Sequence, residues 1–472
     1  MKKTFRFLSM AALLVVGAIM TGCSSDDNID NPQQPANNDN VVTLTATVGF
    51  EANATTRSVD PSTGKKTFES GNQIAVIYTN TSSETVKAVS TDFTPTGDNT
   101  KATFTVSLTN PAENSAIRYI YPATMAKDVA TDATITDDAT IDYSGIFGSQ
   151  DGTLATLADY DLAVKDATLS GTDQPVSVTL TNPLAICKFS LTDGTSPITS
   201  SVNSLTISDG TNAYAVTPSG LDAIYVAMKP ASGNIAFTAR TSDSKTYFKT
   251  ATGTSLVASK LYTSITVSMQ ELALGNVFCS DGSVYATKDA ATTAGKTPVA
   301  KIAYLGNDAE TSPTNTAFKN GLALALADVS GTKAWCSQTS ATCLGTQYDR
   351  STKFNDLAGI ANTDALVNHT SHTHAAASAA KHFKYVSTAD EGAHPTGTSA
   401  WFLPSAGQWD KMIGSTGLGL SNLDLQGMSM TEYWSSTESN ASTRDAWCFN
   451  KKGIWNGSQK GNDSQVRACL AF

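Results

Sequence analysis

The first regular pattern in the chain is an alternation of apolar residues and mostly threonines in VVTLTATVGF (41–50). A period of two turns successive side chains to opposite faces, so this run predicts a half-buried β-strand. Many strands with scarcely any helical pattern predict two antiparallel β-sandwiches, which we place at 41–190 and 191–271. The further runs, separated by Asn-Pro, Asp-Gly, Ser-Gly and Thr-Gly turns, are Ile74–Tyr78, Ala102–Leu108, Ile117–Tyr121, Val176–Leu180, Ile186–Leu191, Leu205–Ile207, Ile224–Met228, Ile235–Thr241, Thr246–Lys249 and Leu261–Met269.

The pattern changes at about residue 272. Short strands are predicted within 275–286 and 298–306. Residues 272–472 are therefore expected to form an α+β domain that ends on short strands around the terminal tryptophans. The apolar-rich or Ala-rich stretches compatible with helices are 314–330, 354–367, 375–383 and 405–414.

Residues 1–23 have the layout of an export signal, with a basic start and an apolar run too short to span a bilayer comfortably. The run ends at MTGC, which resembles the bacterial lipoprotein box and implies diacylation of Cys23. Residues 24–40 are polar and predict a disordered tether. Their SSDD start resembles the surface-export signal of Bacteroidales lipoproteins. We therefore expect an exported lipoprotein of the outer membrane and cell surface, attached by lipid alone.

The length of the chain indicates the number of domains, and its net charge limits the kinds of partner that it can bind. A chain of 472 residues is too long for one core, so two to four domains are expected. The net charge is −10, with no compensating basic stripe. Because nucleic acids and anionic membranes attract basic surfaces, this balance argues against both as partners.

Five segments within 41–270 resemble the fimbrillin family, the subunits of Bacteroidales type V pili. Their order and spacing cover nearly the whole of that range. The resemblance implies transthyretin-like β-sandwiches and partnership with other pilin subunits through strand addition. The segments are GNQIAVIY (71–78), QDGTLATLADYDLAV (150–164), VTLTNPLAICKFSL (178–191), IYVAMKP (224–230) and ASKLYTSITVSM (258–269).

The same resemblance gives a meaning to the first strand. In these pilins the lipidated precursor is cut after an arginine just beyond strand one, and a strand of the next subunit fills the vacated groove. The matching position here is Arg57, followed by Ser58, in the polar stretch EANATTRSVD (51–60). Without the family, a lone arginine in a loop would be a solvated charge.

Residues 272–472 resemble the C-type-lectin-like fold that bacterial surface proteins share with formylglycine-generating enzymes. The matching segments are GLALAL (321–326), WFLPSAGQW (401–409), YWSSTE (433–438) and VRACLAF (466–472). The cysteines do not fall in the enzyme's active-site pattern, and no group of Ser, His and Asp stands out, so we expect no enzyme. The Glu-Pro-Asn and Gln-Pro-Asp calcium tripeptides of animal lectins do not occur, so any glycan binding would be calcium-independent.

The cysteines and histidines offer weak signals only. In an exported chain, the spacing of Cys336 with Cys343 and of Cys448 with Cys469 suggests two disulfides, with buried free thiols as the alternative. All five histidines lie between 369 and 394, but no cysteine or carboxylate flanks them at ligand spacing. We expect no metal and no cofactor. The histidines are His369, His372, His374, His382 and His394.

The C-terminal tail contains the candidate ligand surface. Trp434, Trp447, Gly453, Arg467 and Ala468 match the frame of related C-termini and are expected to be structural. The residues between them combine one aromatic residue with adaptable polar groups, as recognition surfaces do. The candidates for ligand binding are Asn440, Arg444, Asp445, Asn450, Lys451, Trp455, Asn456, Gln459, Asn462 and Asp463.

Taken together, the resemblances imply an adhesive type V pilus subunit at the tip of the fibre, with an unknown glycan or protein ligand. A shaft subunit must lend a C-terminal strand to its neighbour, whereas VRACLAF (466–472) is typical of the closing strand of a globular domain. The alternative is a surface lipoprotein that never polymerises and binds the same ligands. An enzyme of the formylglycine-generating type is the third hypothesis.

Overall fold

The structure is a computed structural model that describes residues 40–50, 67–160, 162–170, 177–194, 196–198, 201–219, 223–309, 317–428, 430–440 and 443–472. Strands make up 40% of the described residues and helices 13%, which confirms the prediction of a mainly β protein. Residues 41–472 form one compact unit. The predicted signal (1–23), the tether (24–40, Asn40 excepted) and the Arg57–Ser58 bond lie outside the described residues.

The first eight strands form two four-stranded sheets, which we call the first sheet pair. One sheet has the order β4-β5-β1-β8 and the other β3-β2-β6-β7. The alternating apolar residues of β1 face the core between them, as the period of two predicts. The strands are β1 (Val41–Phe50), β2 (Ala75–Thr79), β3 (Thr85–Val89), β4 (Thr94–Thr96), β5 (Lys101–Thr109), β6 (Ala116–Tyr121), β7 (Ala163–Thr168) and β8 (Ser177–Leu180).

The segment between β6 and β7 packs on the next sheets, where it contributes Met125, Ile141 and Ile146 to their core. It includes the short helices α1 (Asp137–Thr140) and α2 (Ser144–Gly148). Buried Gln150 bonds to both backbone groups of Ala227, accepting from the N–H at 2.8 Å and donating to the carbonyl at 3.0 Å. Satisfying both amide groups makes this buried polar contact stabilising.

The next eight strands form the second sheet pair, with a five-stranded sheet β11-β10-β13-β14-β16 and a three-stranded sheet β12-β9-β15. The predicted boundary at 190 falls inside β9, which pairs only with strands of this second pair. The strand pairing therefore places the transition from the first to the second sheet pair between Leu180 and Ala185. The strands are β9 (Ala185–Thr192), β10 (Val202–Ser208), β11 (Ala213–Val216), β12 (Ile224–Met228), β13 (Ala231–Thr241), β14 (Thr246–Leu256), β15 (Leu261–Ser268) and β16 (Gln270–Glu271).

The C-terminal region (272–472) contains both strands and helices. Its sheets have the orders β18-β17-β19-β20-β26, β21-β25 and β22-β23-β24. The strands are β17 (Val277–Cys279), β18 (Val284–Tyr285), β19 (Pro298–Leu305), β20 (Gly321–Ala325), β21 (Lys333–Ala334), β22 (Glu432–Glu438), β23 (Asp445–Asn450), β24 (Trp455–Gln459), β25 (Asp463–Ser464) and β26 (Cys469–Ala471). The helices are α3 (Lys288–Thr293), α4 (Gly359–Val367), α5 (Ala375–Lys381) and α6 (Ala406–Ile413).

Three of the four predicted helical stretches of this region are confirmed by α4, α5 and α6. The N-terminus of α6 has a capping box, because the Ser405 hydroxyl accepts the Gln408 N–H and the Gln408 side chain accepts the Ser405 N–H. The helix predicted within 314–330 is wrong, since Gly321–Ala325 form strand β20. All five of its residues are buried between β19 and β26, and a short continuous apolar run fits a buried strand as well as a helix.

The C-terminal region packs directly on the second sheet pair. The Thr206 hydroxyl donates to the Ala317 carbonyl at 2.6 Å, and Phe248 meets Phe278 edge to face with ring centroids 5.0 Å apart. Gly397 has φ +89°, and a Cβ there would lie 2.3 Å from the Cβ of Ala236. Only glycine permits this close approach, so the two parts share one continuous interface.

Candidate functional site

Strand β1 lies inside its sheet, with a partner on each side. Val41–Gly49 pair antiparallel with β5, and Thr47–Phe50 pair parallel with β8. Leu44, Ala46 and Val48 are 2%, 5% and 0% exposed. Removing this strand would open a groove with an apolar floor and unpaired backbone groups along both walls.

Trp401, Trp409, Trp434 and Trp447 of the C-terminal region are buried, which confirms the structural role predicted for Trp434 and Trp447. Each indole N–H donates to a backbone carbonyl, so the polar atom of each large side chain is satisfied. Trp401, Trp409, Trp434 and Trp447 donate to the carbonyls of Ala393, Trp434, Lys333 and Tyr348 at 2.7, 3.2, 2.8 and 2.9 Å, respectively.

The predicted ligand residues separate into two groups at opposite ends of β24. The first group surrounds the pairing of Asp445 with Gln459. Strand β24 is five residues long, so its ends are about 13 Å apart. The members of this first group, which are exposed except for half-buried Asp445, are Asn440, Arg444, Asp445, Gln459, Asn462 and Asp463.

The second group surrounds the turn between β23 and β24, and we call it the Trp455 patch. It contains Lys451, Trp455 and exposed Asn456. Half-buried Trp455 lies 5.3 Å from Phe449 and 5.2 Å from Phe354, measured between ring centroids. Those contacts position the indole, which remains partly exposed.

Asn450 is the one predicted ligand residue that the structure places out of reach. It is 1% exposed, and its side-chain oxygen accepts the N–H groups of Lys452 and Ile454 at 2.9 and 3.2 Å. The residue therefore shapes the turn, as asparagine often does by bonding to the backbone a few residues on.

Three apolar residues beside the Trp455 patch were missed by the sequence reasoning. Met428, Met430 and Ile454 are 83%, 62% and 48% exposed. The Lys451 ammonium donates to the Gly427 carbonyl at 2.8 Å, which ties the methionine loop to the turn. Neighbouring exposed apolar side chains are typical of an interaction surface, and methionine adapts readily to different partners. The available signal was the pair of methionines in GMSM (427–430), within a polar loop.

A buried lysine packs against the aromatic rings at and around the Trp455 patch. Lys353 is 5% exposed, and its ammonium donates to the Arg350 carbonyl at 2.7 Å. The same nitrogen lies 3.9, 5.1 and 5.9 Å from the ring centroids of Phe354, Trp447 and Trp455. Desolvation lowers the pKa of this lysine, and the aromatic faces offset part of that cost.

Of the two alternatives for the cysteines, disulfides or buried thiols, the structure shows buried thiols. The six cysteines of the described residues are buried, and none of them forms a disulfide. Cys336 and Cys343 lie close, with sulfur atoms 3.7 Å apart. Cys448 and Cys469 lie on strands of different sheets, and each thiol contacts a backbone carbonyl at 3.5 Å. Burial raises the pKa of the Cys343 thiol to about 12, the opposite of what a nucleophilic cysteine needs.

Within the described ranges, no helix is long and apolar enough to cross a membrane. Cys23, the residue predicted to carry the lipid, lies outside those ranges.

Several solved structures resemble this chain in part. The tip fimbrial protein Mfa3 of Porphyromonas gingivalis, truncated at its C-terminus, is 11% identical with a TM-score of 0.22, over 45% of this chain and 81% of that one. A candidate cell adhesion protein of Bacteroides ovatus is 13% identical with a TM-score of 0.27, over 50% of this chain and 96% of that one. No family model and no curated protein matches the chain.

Proposed function

We propose that this protein is the lipoprotein precursor of an adhesive type V pilus subunit, placed at the tip of the fibre. Removal of β1 after Arg57 prepares the subunit to accept a strand from its neighbour, and a C-type-lectin-like C-terminal region binds the ligand. The lipid on Cys23 holds the precursor at the outer membrane. The position of β1 is the observation that carries the proposal.

An assembly groove needs a strand that is both well paired and removable. Strand β1 meets the first requirement through its partners β5 and β8. It meets the second because it is the first described strand and is joined to the later strands only through the polar segment that contains Arg57. Incoming strands bind such edges through backbone hydrogen bonds, and pockets for alternate side chains give the specificity.

The strand β26 supports a terminal position. It pairs with β20, and Cys469, Leu470 and Ala471 are all fully buried. Lending this strand to a neighbour would require the C-terminal region to lose part of its core. Strand β26 is therefore a structural part of the C-terminal region and is not a strand that the subunit donates to a neighbour.

A peptide of residues 41–50 is expected to bind the chain that begins at Ser58 and to raise its unfolding temperature. A Val48→Asp peptide should bind more than about 100-fold more weakly, because it would bury a carboxylate at a fully buried position. A Thr43→Asp peptide is the matched control, since Thr43 is exposed. Isothermal titration and thermal unfolding measure both effects, and equal binding of the two variants would contradict the proposed groove.

The Trp455 patch is proposed as the main ligand contact, with the residues around Asp445 and Gln459 as a secondary one. After a glycan and host-protein screen with the full chain, Trp455→Ala is expected to weaken the best ligand more than about tenfold. Ile454→Ala should weaken it without affecting the fold, because that side chain is 48% exposed. Gln459→Ala, in the secondary contact at the other end of β24, should weaken binding less than Trp455→Ala does. A larger loss with Gln459→Ala than with Trp455→Ala would place the ligand at that other end.

A further inference from the structure

The two cysteines that flank loop 337–342 meet a histidine that directly precedes helix α5. One potential ligand atom from each of Cys336, Cys343 and His374 lies within 4.8 Å of the other two, and all three residues are buried. The two sulfur atoms are 3.7 Å apart. Two thiolates on one tetrahedral Zn²⁺, each at about 2.3 Å, would be about 3.8 Å apart. The thiol pair therefore already has the spacing of a metal-bound pair.

The histidine supplies an independent observation. His374 is 3% exposed, and its Nε2 is a buried polar atom without a hydrogen-bond partner in the described structure. Its Nδ1 lies 3.2 Å from the Trp335 carbonyl, which can only accept, so Nδ1 carries the proton. The lone pair is therefore on Nε2. This is the arrangement that prepares a metal-binding histidine, and without a ligand it leaves a costly buried acceptor.

The backbone around the cluster is held by two other buried residues. The Lys460 carbonyl accepts the N–H groups of Trp335 and Cys336 at 2.8 and 3.0 Å. The Glu438 carboxylate accepts the Cys343 N–H at 2.9 Å and the Leu344 N–H at 2.8 Å. Both cysteines are thus fixed at their own amides, independently of any contact between the sulfurs.

The histidine segment is joined to the first cysteine segment as well. The Ser337 N–H donates to the Thr373 carbonyl at 2.8 Å, and the Thr373 N–H donates to the Ser337 hydroxyl at 3.1 Å. Cys336 and His374 each adjoin one of these two residues. All three side chains are therefore placed by a rigid frame, as a metal site requires.

We propose that Cys336, Cys343 and His374 form a Zn²⁺ site. The inference concerns the C-terminal region alone and does not depend on pilus assembly. Binding replaces the two S–H protons by the metal, so one Zn²⁺ enters and two H⁺ leave, without any change of oxidation state. The dication and two thiolates then sum to zero charge in a buried position, whereas Cu⁺ would leave one negative charge. The fourth coordination position is left for water or another ligand, and Cys343, at 9% exposed, is the least buried of the three residues.

We expect the full-length chain to bind one Zn²⁺. The protein is purified with reductant and stripped of metal with a chelator, and Zn²⁺ is then titrated in against a chromophoric competitor. His374→Gln should weaken binding more than about 100-fold, because even outer-shell partners are worth about 10–100-fold. Cys336→Ser should abolish it. Cys279→Ser is the matched control, since that cysteine is buried but is not part of the cluster. Circular dichroism of each variant separates a lost ligand from a lost fold.

Proton release tests the ligands even if a cysteine variant fails to fold. A dithiolate site releases two protons per Zn²⁺, measured with an indicator dye in weak buffer, and Co²⁺ in the site gives thiolate-to-cobalt charge-transfer absorption. Adventitious binding to the neighbouring His369 and His372 would release none from thiols and would overturn the proposal. So would a Cys336–Cys343 disulfide in protein isolated from the cell surface, unchanged Zn²⁺ binding by Cys336→Ser, or a site that takes Cu⁺ and rejects Zn²⁺.

Discussion

An Arg57→Ala precursor is expected to stay uncut and to be missing from purified pili. The resemblance to type V pilins places the cleavage after Arg57. While the Arg57–Ser58 bond is intact, β1 remains attached and competes for its own position between β5 and β8. An attached strand has a high effective concentration, so a strand from another subunit cannot displace it. Immunoblots of the outer-membrane and sheared-pilus fractions measure both outcomes.

The matched control is Lys65→Ala, which removes a basic residue eight positions after Arg57. It should be cut and incorporated normally if the protease requires arginine at residue 57. Immunogold labelling of the wild type adds the position in the fibre, because tip-only labelling supports the proposal and uniform cell-surface labelling supports the non-polymerising alternative. Normal incorporation of the Arg57→Ala protein would contradict the cleavage.

Lys460→Met is expected to lower the free energy of unfolding of the C-terminal region by about 3–5 kcal/mol. Lys460 and Glu438 form an ion pair whose side chains are 0% and 1% exposed. The same ammonium donates to the carbonyls of Ala341 and Thr443 at 2.6 and 2.8 Å. Without it, the carboxylate is buried with no opposite charge, which costs far more than the loss of a surface pair.

Tryptophan fluorescence during urea unfolding measures this effect in the right part of the chain. All six tryptophans lie between 335 and 455, so the signal reports the C-terminal region alone. Chelator should be present, because a bound metal would add its own stabilisation. Lys411→Met, whose ion pair with Asp308 is 22% and 49% exposed, is the control and should cost no more than about 1 kcal/mol. The double variant Lys460→Met/Glu438→Gln should recover part of the stability that Lys460→Met loses. A loss in the double variant equal to the sum of the two single losses would exclude the charge explanation.

The parts of the fold that follow local periodicity could be predicted from the sequence. The alternation at 41–50 predicts β1 and its buried face, and the predicted helical stretch 405–414 contains α6. Residues 321–325 have no such period, because β20 is buried on both faces. Whether a continuous apolar run is strand or helix depends on its neighbours in space, which the local sequence does not contain.

The candidate sites depend on contacts between distant residues, which explains what the sequence reasoning missed. The polar tail was recognisable, but Asn450 could not be separated from its exposed neighbours until its bonds within the turn were known. The histidine tract showed no cysteine at ligand spacing, because backbone bonds to Lys460 and Thr373 bring Cys336 to His374 and the Glu438 carboxylate holds Cys343 beside them. Met428 and Met430 appeared ordinary, since exposure is not a property of residue type alone.

The interface between the second sheet pair and the C-terminal region has a mechanical consequence. At Gly397 and Ala236 the backbones approach too closely for any other side chain, and Phe248 extends from β14 into the neighbouring core. A force applied to a ligand bound at Trp455 would therefore be transmitted through packed side chains rather than through a flexible hinge. We expect the subunit to be mechanically stiff. The fold would then fix the direction in which a force on the ligand acts at the β1 groove.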